Sequence, residues 1–535
     1  MSFEVLYAFD DQTNDGLNPQ SNLIMINNEL YGTTINGGEN SNGTIFKISS
    51  GGTHSVIYNF GASGDGKNPV GGLISNGDNT ILYGTTISGG SYNSGTIYSI
   101  LLSNNTYNKL YNFNFEDEYG CNPYASLLLL GNKLYGTNNS TGINSAGTIF
   151  AYNLGNSTLK LIHTFTGSGG SGPKCTLINS GNLLYGTTDA GGAYGTGTIF
   201  SINITNPTNT FTIMYSFSDT SEEDNTNNDG AHPQAELLLH GDDLYGTTAS
   251  GGEYGTGTVF KINKDTNTFT NMHSFELNTS NNGAYPYNGL VLFGSLLYGI
   301  TSQGGTTTDS SAIYTISPNS PYTFNVEHRL NAEGDNAKGT LLRNNNTLYG
   351  TNEIGGFGSG TIFKYTITVP CYNKNTKILV LNENNADEYK YVQDIKIGDI
   401  VKTYPSEYKN VEAVGKKTMI NNIREKKNCM YIMQKNESNM LTDDLIVTGG
   451  HSIYVDYLTE NEKSKQQKSK IVNGKHSISS KNSDNFTKLN NNNKYTYYHF
   501  VLENDDDDKN YIVWANGILS ESISKRVFNK LNFIE

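Results

Sequence analysis

Residues 184–202 read LYGTTDAGGAYGTGTIFSI. Two short runs rich in Tyr, Thr and Ile, residue types that favour strands, flank a Gly-Gly pair. Glycine supplies the positive φ that a tight hairpin turn demands. The stretch therefore predicts two antiparallel strands. The same order returns at 30–48 (LYGTTINGGENSNGTIFKI) and 244–262 (LYGTTASGGEYGTGTVFKI), and in weaker form at 134–150 and 297–314. The Tyr of Leu-Tyr-Gly falls at 31, 83, 135, 185, 245, 298 and 349, so the spacings are 52, 52, 50, 60, 53 and 51. Self-similarity at a fixed period is the signature of a repeat architecture.

Working outward, each unit gains two more strands. One precedes Leu-Tyr-Gly (LIMIN, 23–27) and one follows the Gly-Thr-Ile-Phe run (SVIYNF, 55–60; KLYNF, LIHTF and TIMYSF in later units). Loops reading DGLNP, DGKNP, YGCNP, DGAHP or NGAYP follow the last strand, and Gly and Pro there end the pairing. Seven units of about fifty residues and four strands predict a seven-bladed β-propeller. The last unit ends at TIFKYTITVP (361–370) without a fourth strand, and the chain opens with FEVLYAF (3–9), which matches SVIYNF. The N-terminal strand is thus expected to complete the seventh blade and remove a free edge.

These repeats resemble the Gly/Tyr-rich tandem repeat of the GloVer type over residues 1–366. That resemblance implies a repeat fold and no shared activity. The repeated Tyr, Thr and Gly read as structural. The acidic stretch Ser221–Asp229 reads as a solvated loop, with a calcium site as the alternative. His54, His163, His232, His240, His273 and His328 lack metal-ligand spacing. A ligand or protein partner on a propeller face is the general expectation.

Composition sets the outer limits. The 535 residues include 59 Gly and 36 Tyr, with only 16% charged residues. This is not the make-up of a coiled coil. Residues 1–370 hold 12 Lys+Arg against 28 Asp+Glu, net −16; the remaining 165 hold 24 against 22, net +2. The acidic first part is unsuited to nucleic acid, whose phosphates call for Lys and Arg. Four cysteines (121, 175, 371 and 429) are too few for a disulfide framework. The start MSFEVLYAFDDQTND has no secretory-signal pattern, and no run approaches the ~18 apolar residues of a membrane helix. Asn-rich loops fit an AT-rich genome, such as that of an amoeba or a giant virus, and a place on a virion or particle surface. No cofactor is called for.

Texture changes at Pro370-Cys371. Beyond it come CYNKNTKILVL (371–381), YVQDIKIGDIVKTY (391–404), LIVTGGHSIYVD (445–456), YYHFVLEN (497–504) and NYIVWANGILSES (510–522). Short apolar runs between polar loops predict a second all-β domain over 371–522. A Lys/Ser/Asn-rich stretch at 456–495 is expected to be a flexible insertion, and a tail follows at 523–535. Cys371 at a domain boundary, Thr448-x-x-His451 and Ala515-Asn516-Gly517 stand in the order of a Hint (Hedgehog/intein) domain, which this segment resembles.

The resemblance implies self-processing. Cys371 would be the nucleophile toward the Pro370 carbonyl, His451 the acid/base, Thr448 an assisting hydroxyl, and His499 an additional member. The outcome would be a single-turnover cis-autoproteolysis through a thioester. Where inteins end in His-Asn, this chain has Glu521-Ser522, so full splicing is not expected. Hydrolysis or transfer to an unknown nucleophile is. The tail is too short for a sterol-recognition region. The alternative is a structural or surface protein whose Hint domain is silent. The Pro370 ring, which limits distortion of the bond, favours that alternative. Cys429 reads as a packed residue.

Overall fold

The computed structural model describes residues 2–367, except 12–13, 50, 141–145, 206–209, 278–281, 294–295, 305–310 and 331–332. Beyond 367 it describes 372–373, 376–381, 386–397, 399–403, 407–420, 430–433, 445–448, 452–455, 470–472, 475–479, 487–488, 494–502, 512–515 and 518–521, with side chains no further than Val411. The described residues are all-β apart from one short 3-10 turn at Val392–Asp394. Contacts divide the chain into two compact units, one made of Phe3–Leu292 and Leu296–Thr366, the other chiefly of Ile367–Glu535.

The first unit is a seven-bladed propeller of four-stranded antiparallel sheets. The first blade shows the pattern: Ile24–Ile26, Glu29–Thr34, Thr44–Ser49 and His54–Asn59 lie side by side in chain order. Register explains the motif. Gly32 of Leu-Tyr-Gly stands opposite Phe46 of Gly-Thr-Ile-Phe. A Cβ on Gly32 would sit 2.6 Å from the Phe46 ring, closer than any real contact. The same pairing recurs in every blade, through to Gly350 with Phe363, with Tyr98 and Tyr314 in place of the Phe in the second and sixth. Glycine is there to seat the ring.

The repeated threonines tie the blade internally and to its neighbour. Thr34 Oγ1 meets Thr44 Oγ1 at 2.8 Å, and the pairs Thr86–Thr96, Thr188–Thr198 and Thr248–Thr258 each lie at 2.9 Å. The Thr before each of these donates onward, as from Thr85 to the Ala125 carbonyl (3.1 Å) and from Thr247 to that of Asn288 (2.8 Å). Thr351 of the last blade donates to Ser21 of the first (3.3 Å). Blade six has Ile300 in this place. There Asn288 supplies the tie, donating to the carbonyls of Ile300 (3.1 Å) and Ala337 (3.2 Å). A buried carbonyl left without a donor would cost about 1–3 kcal/mol.

The ring closes as the ends of the repeat predict. Ser2–Ala8 pairs with Thr361–Thr366 as the outer strand of the seventh sheet. Phe9 donates its amide to Gly360 (3.0 Å), and Lys364 pairs with Glu4 (3.1 Å). Phe9, Leu30, Phe46 and Ile362 then share one buried cluster that joins the seventh blade to the first.

In the second unit one run of paired strands extends from Lys470–Val472 to Thr487–Lys488. Its longest strand, Glu407–Ile420, pairs along its length with Lys494–Leu502. Within the stretch expected to be a flexible insertion, 456–495, three strands are paired. Lys470–Val472 pairs with Lys475–Ser479, that strand pairs with Ser452–Val455, and Thr487–Lys488 pairs with Met430–Met433. The sequence between the first two is Asn473-Gly474, a hairpin signal hidden by its Lys- and Ser-rich surroundings.

Candidate functional site

The processing site predicted from sequence centres on the start of the second unit. Pro370, Cys371, His451 and Cys429 lie outside the described residues. What surrounds them is described as backbone. Tyr372–Asn373 is a two-residue strand inserted between two others. Tyr372 stands opposite Val447 of Leu445–Thr448 on one side and opposite Tyr498 of Lys494–Leu502 on the other, both antiparallel. Antiparallel partners move in opposite directions. Thr448 follows Val447 on one flank, and His499 follows Tyr498 on the other. Thr448 itself pairs with Met430, and His499 with Gly415. The strand Ser452–Val455 begins directly after His451.

Asp399 organises the start of the strand Ile400–Thr403. Its carboxylate accepts from the Lys396 amide (2.7 Å) and pairs with Lys390 Nζ (2.7 Å), while its backbone carbonyl accepts from Val411 (2.8 Å). Asp399 thereby fixes the hairpin that starts Ile400–Thr403 and leads into the long strand carrying Gly415.

In the propeller the histidines have ordinary partners. His163 stacks on Phe211, and His273 stacks on Phe324 while bonding Asn282 (3.0 Å). In the acidic stretch, Asp229 accepts from the Tyr215 hydroxyl (2.7 Å) and Asp224 from Thr226 (2.8 Å). Among the described residues no group of three or more His, Cys, Asp or Glu is placed to hold a metal. Cys121 and Cys175 are buried thiols.

Sequence reasoning missed one site. Six loops run on from a proline (19, 69, 123, 173, 233 and 286) and the seventh from Ala337; the residues one and three places beyond that point, Gly289 excepted, line a cavity of about 210 Å³. Tyr124, Lys174, Tyr287 and Lys338 occupy first positions; Asn22, Thr176, Glu236 and Thr340 occupy third positions. Glu236 lines the cavity. Both its oxygens accept from Asn22 Nδ2 across the ring (3.0 Å each). Burial pushes its carboxyl up, against the pull of hydroxyls from Thr340 and Thr176 and of Asn22. The available signal was the lack of repetition: these positions vary from blade to blade, while the leucine that follows them is the same in all seven.

The Gloeobacter/Verrucomicrobia repeat family matches residues 1–173, 49–228 and 220–363, and the Hint domain family matches residues 370–526. No curated protein matches the chain. Solved structures show a distant likeness. The oligogalacturonate lyase of Vibrio parahaemolyticus is 9% identical over 72% of this chain and 94% of its own, with a TM-score of 0.44. A puromycin-hydrolysing peptidase of Mycobacterium tuberculosis is 9% identical over 74% and 60%, TM-score 0.43. TolB of Acinetobacter baumannii is 13% identical over 53% of this chain and 59% of its own, TM-score 0.32. Among the described residues no helix is long and apolar enough to cross a membrane.

Proposed function

Since this chain belongs to the Gloeobacter/Verrucomicrobia repeat family and carries a Hint domain behind its repeats, we propose that the second unit cuts the chain between Pro370 and Cys371 and so releases or transfers the propeller. The Cys371 thiolate attacks the Pro370 carbonyl carbon. The C–N bond breaks, the Cys371 nitrogen takes a proton from His451 and becomes a free amine, and residues 1–370 are left as a thioester on Cys371 Sγ. Water, or an external amine or hydroxyl, then attacks the thioester carbonyl and expels the thiol. The Thr448 hydroxyl helps to hold the peptide or the developing negative charge. Splicing does not follow, because Glu521-Ser522 offers no asparagine to cyclise.

The observation that carries this reading is register. Tyr372 lies between Val447 and Tyr498, and the next residues on those flanks are Thr448 and His499. The family match beginning at residue 370 supports the same starting point. The propeller then acts as the binding or structural module, with a particle surface as the setting that the Asn-rich composition favours.

The intact mass of freshly expressed protein tests the proposal, with and without a strong thiol and beside Cys371→Ala. Two fragments meeting at Cys371, faster with thiol and absent in the variant, are expected. One uncut mass under all conditions would leave the Hint domain a silent fold and the chain a structural protein.

A further inference from the structure

The cavity on the propeller axis is built from loops of all seven blades, but its charges are not symmetric. Lys174 and Lys338 are its two cations. Lys174 is already neutralised: it pairs with Asp189 at 2.9 Å, and Asp189 also accepts from Gln234 Nε2 at 2.9 Å. Lys338 is not. Its Nζ lies 3.4 Å from the centre of the Tyr287 ring, and among the described residues no carboxylate is within ion-pair distance. A cation on an aromatic face gains ~1–2 kcal/mol, less than an ammonium loses on desolvation. The site is therefore short of one negative charge beside Lys338.

We propose that the axial cavity binds a small oxyanion-bearing molecule, a carboxylate or a phosphate, with Lys338 as its anchor and Tyr287 and Tyr124 as its walls. Size supports a small ligand, since 210 Å³ is below the ~300–1,000 Å³ of drug-sized pockets. Polarity supports an oriented one. The anionic group belongs with Lys338, away from the Glu236 carboxyl, whose hydroxyl- and amide-lined layer suits the ligand's hydrogen-bonding remainder. The two tyrosines favour a flat or ring-like body between the two ends.

The groups around Lys338 set its response to pH. Burial lowers its ammonium to about 8, while Glu353 and Asp335 pull it back up and Lys174 pushes it down. Glu353 itself accepts from Asn336 and is held in its loop. Protonation of Lys338 is then nearly complete at pH 7 and small at pH 9, so the anion should bind better at pH 7.

Thermal melting in sodium phosphate, sodium citrate or sodium chloride at equal ionic strength tests this on the full chain. Acetic anhydride labelling of Lys338, read by mass spectrometry, gives a second readout on the unaltered protein. Phosphate or citrate should raise Tm above the chloride value at pH 7, less at pH 9, and should slow labelling of Lys338 at least fivefold. The arm that acts identifies the oxyanion. Lys338→Met should abolish the difference from chloride, whereas Lys160→Met, at an exposed lysine, should keep it. Equal shifts in wild type and Lys338→Met, or labelling that neither anion slows, would overturn the proposal.

Discussion

His163 lies flat on Phe211, ring centres 3.9 Å apart, with Phe165 edge-on at 5.0 Å. Its counterparts in other blades are Tyr7, Tyr58 and Tyr215, which give their hydroxyls to Asp15, Asp65 and Asp229. The loop after His163 reads TGSGGSGP and has no aspartate, so an imidazole that needs no carboxylate replaces the phenol. That exchange is visible by setting the repeats one under another. Its titration is not, because it depends on burial. Burial lowers the His163 pKa to about 4, and moves His54 and His273 the same way. A folded value below the unfolded one means that the unfolded chain takes up the proton first. Stability is therefore full above pH ~6.5 and drains away as pH falls toward 4. A partly exposed ring makes the loss about 1–3 kcal/mol for His163. His163→Phe keeps the stack and removes the proton. Its melting temperature should fall less than the wild type's between pH 7 and pH 5. Parallel pH curves for the two proteins would show that His163 does not titrate in this way.

Among the elements, the strand Ser2–Ala8 has the largest leverage, because it closes the ring from the far end of the sequence. Its pairing with Thr361–Thr366 could be read from FEVLYAF and SVIYNF alone. Phe9, fully buried against Phe46 and Leu30, fastens the closure. Phe9→Ala should cost about 3–5 kcal/mol, the usual range for a large core ring. In urea unfolding, that loss should exceed the effect of Phe269→Ala, a partly buried ring stacked on Tyr215 at 4.0 Å in an interior blade. A smaller loss for Phe9 would mean that the seventh blade holds without its first strand. Elements of the second unit were harder to read. Its strands at 470–472, 475–479 and 487–488 carry Lys, Ser and His rather than an apolar alternation, and their pairing comes from neighbours rather than from propensity.

At the scale of the whole molecule, repetition made structure legible and hid the ligand cavity. Seven copies of Leu-Tyr-Gly announce the blades because each blade needs the same ring seat and six of the seven use the same threonine tie. Lys338, Glu236 and Tyr287 line the cavity, where the side chains vary from blade to blade, so no repeat flags them. The residues proposed to process the chain stand in the sequence as an ordered set, while the flanking of Tyr372 by Val447 and Tyr498 is a long-range pairing that no local pattern encodes. The division of charge leads to one more test. Residues 1–370 carry −16 and residues 371–535 carry +2, so a cut at Pro370–Cys371 yields products of opposite sign at pH 7. The cut can be made by the chain itself or by a site-specific protease sequence placed at 368–370. The propeller fragment should bind an anion-exchange column and elute late in salt, while the second fragment should pass through. Because exposed charges are screened over about 10 Å at 0.1 M salt, charge alone cannot keep the fragments together there. Co-elution of the two under those conditions would show that apolar contact holds the units together after the bond is gone, and that processing does not free the propeller.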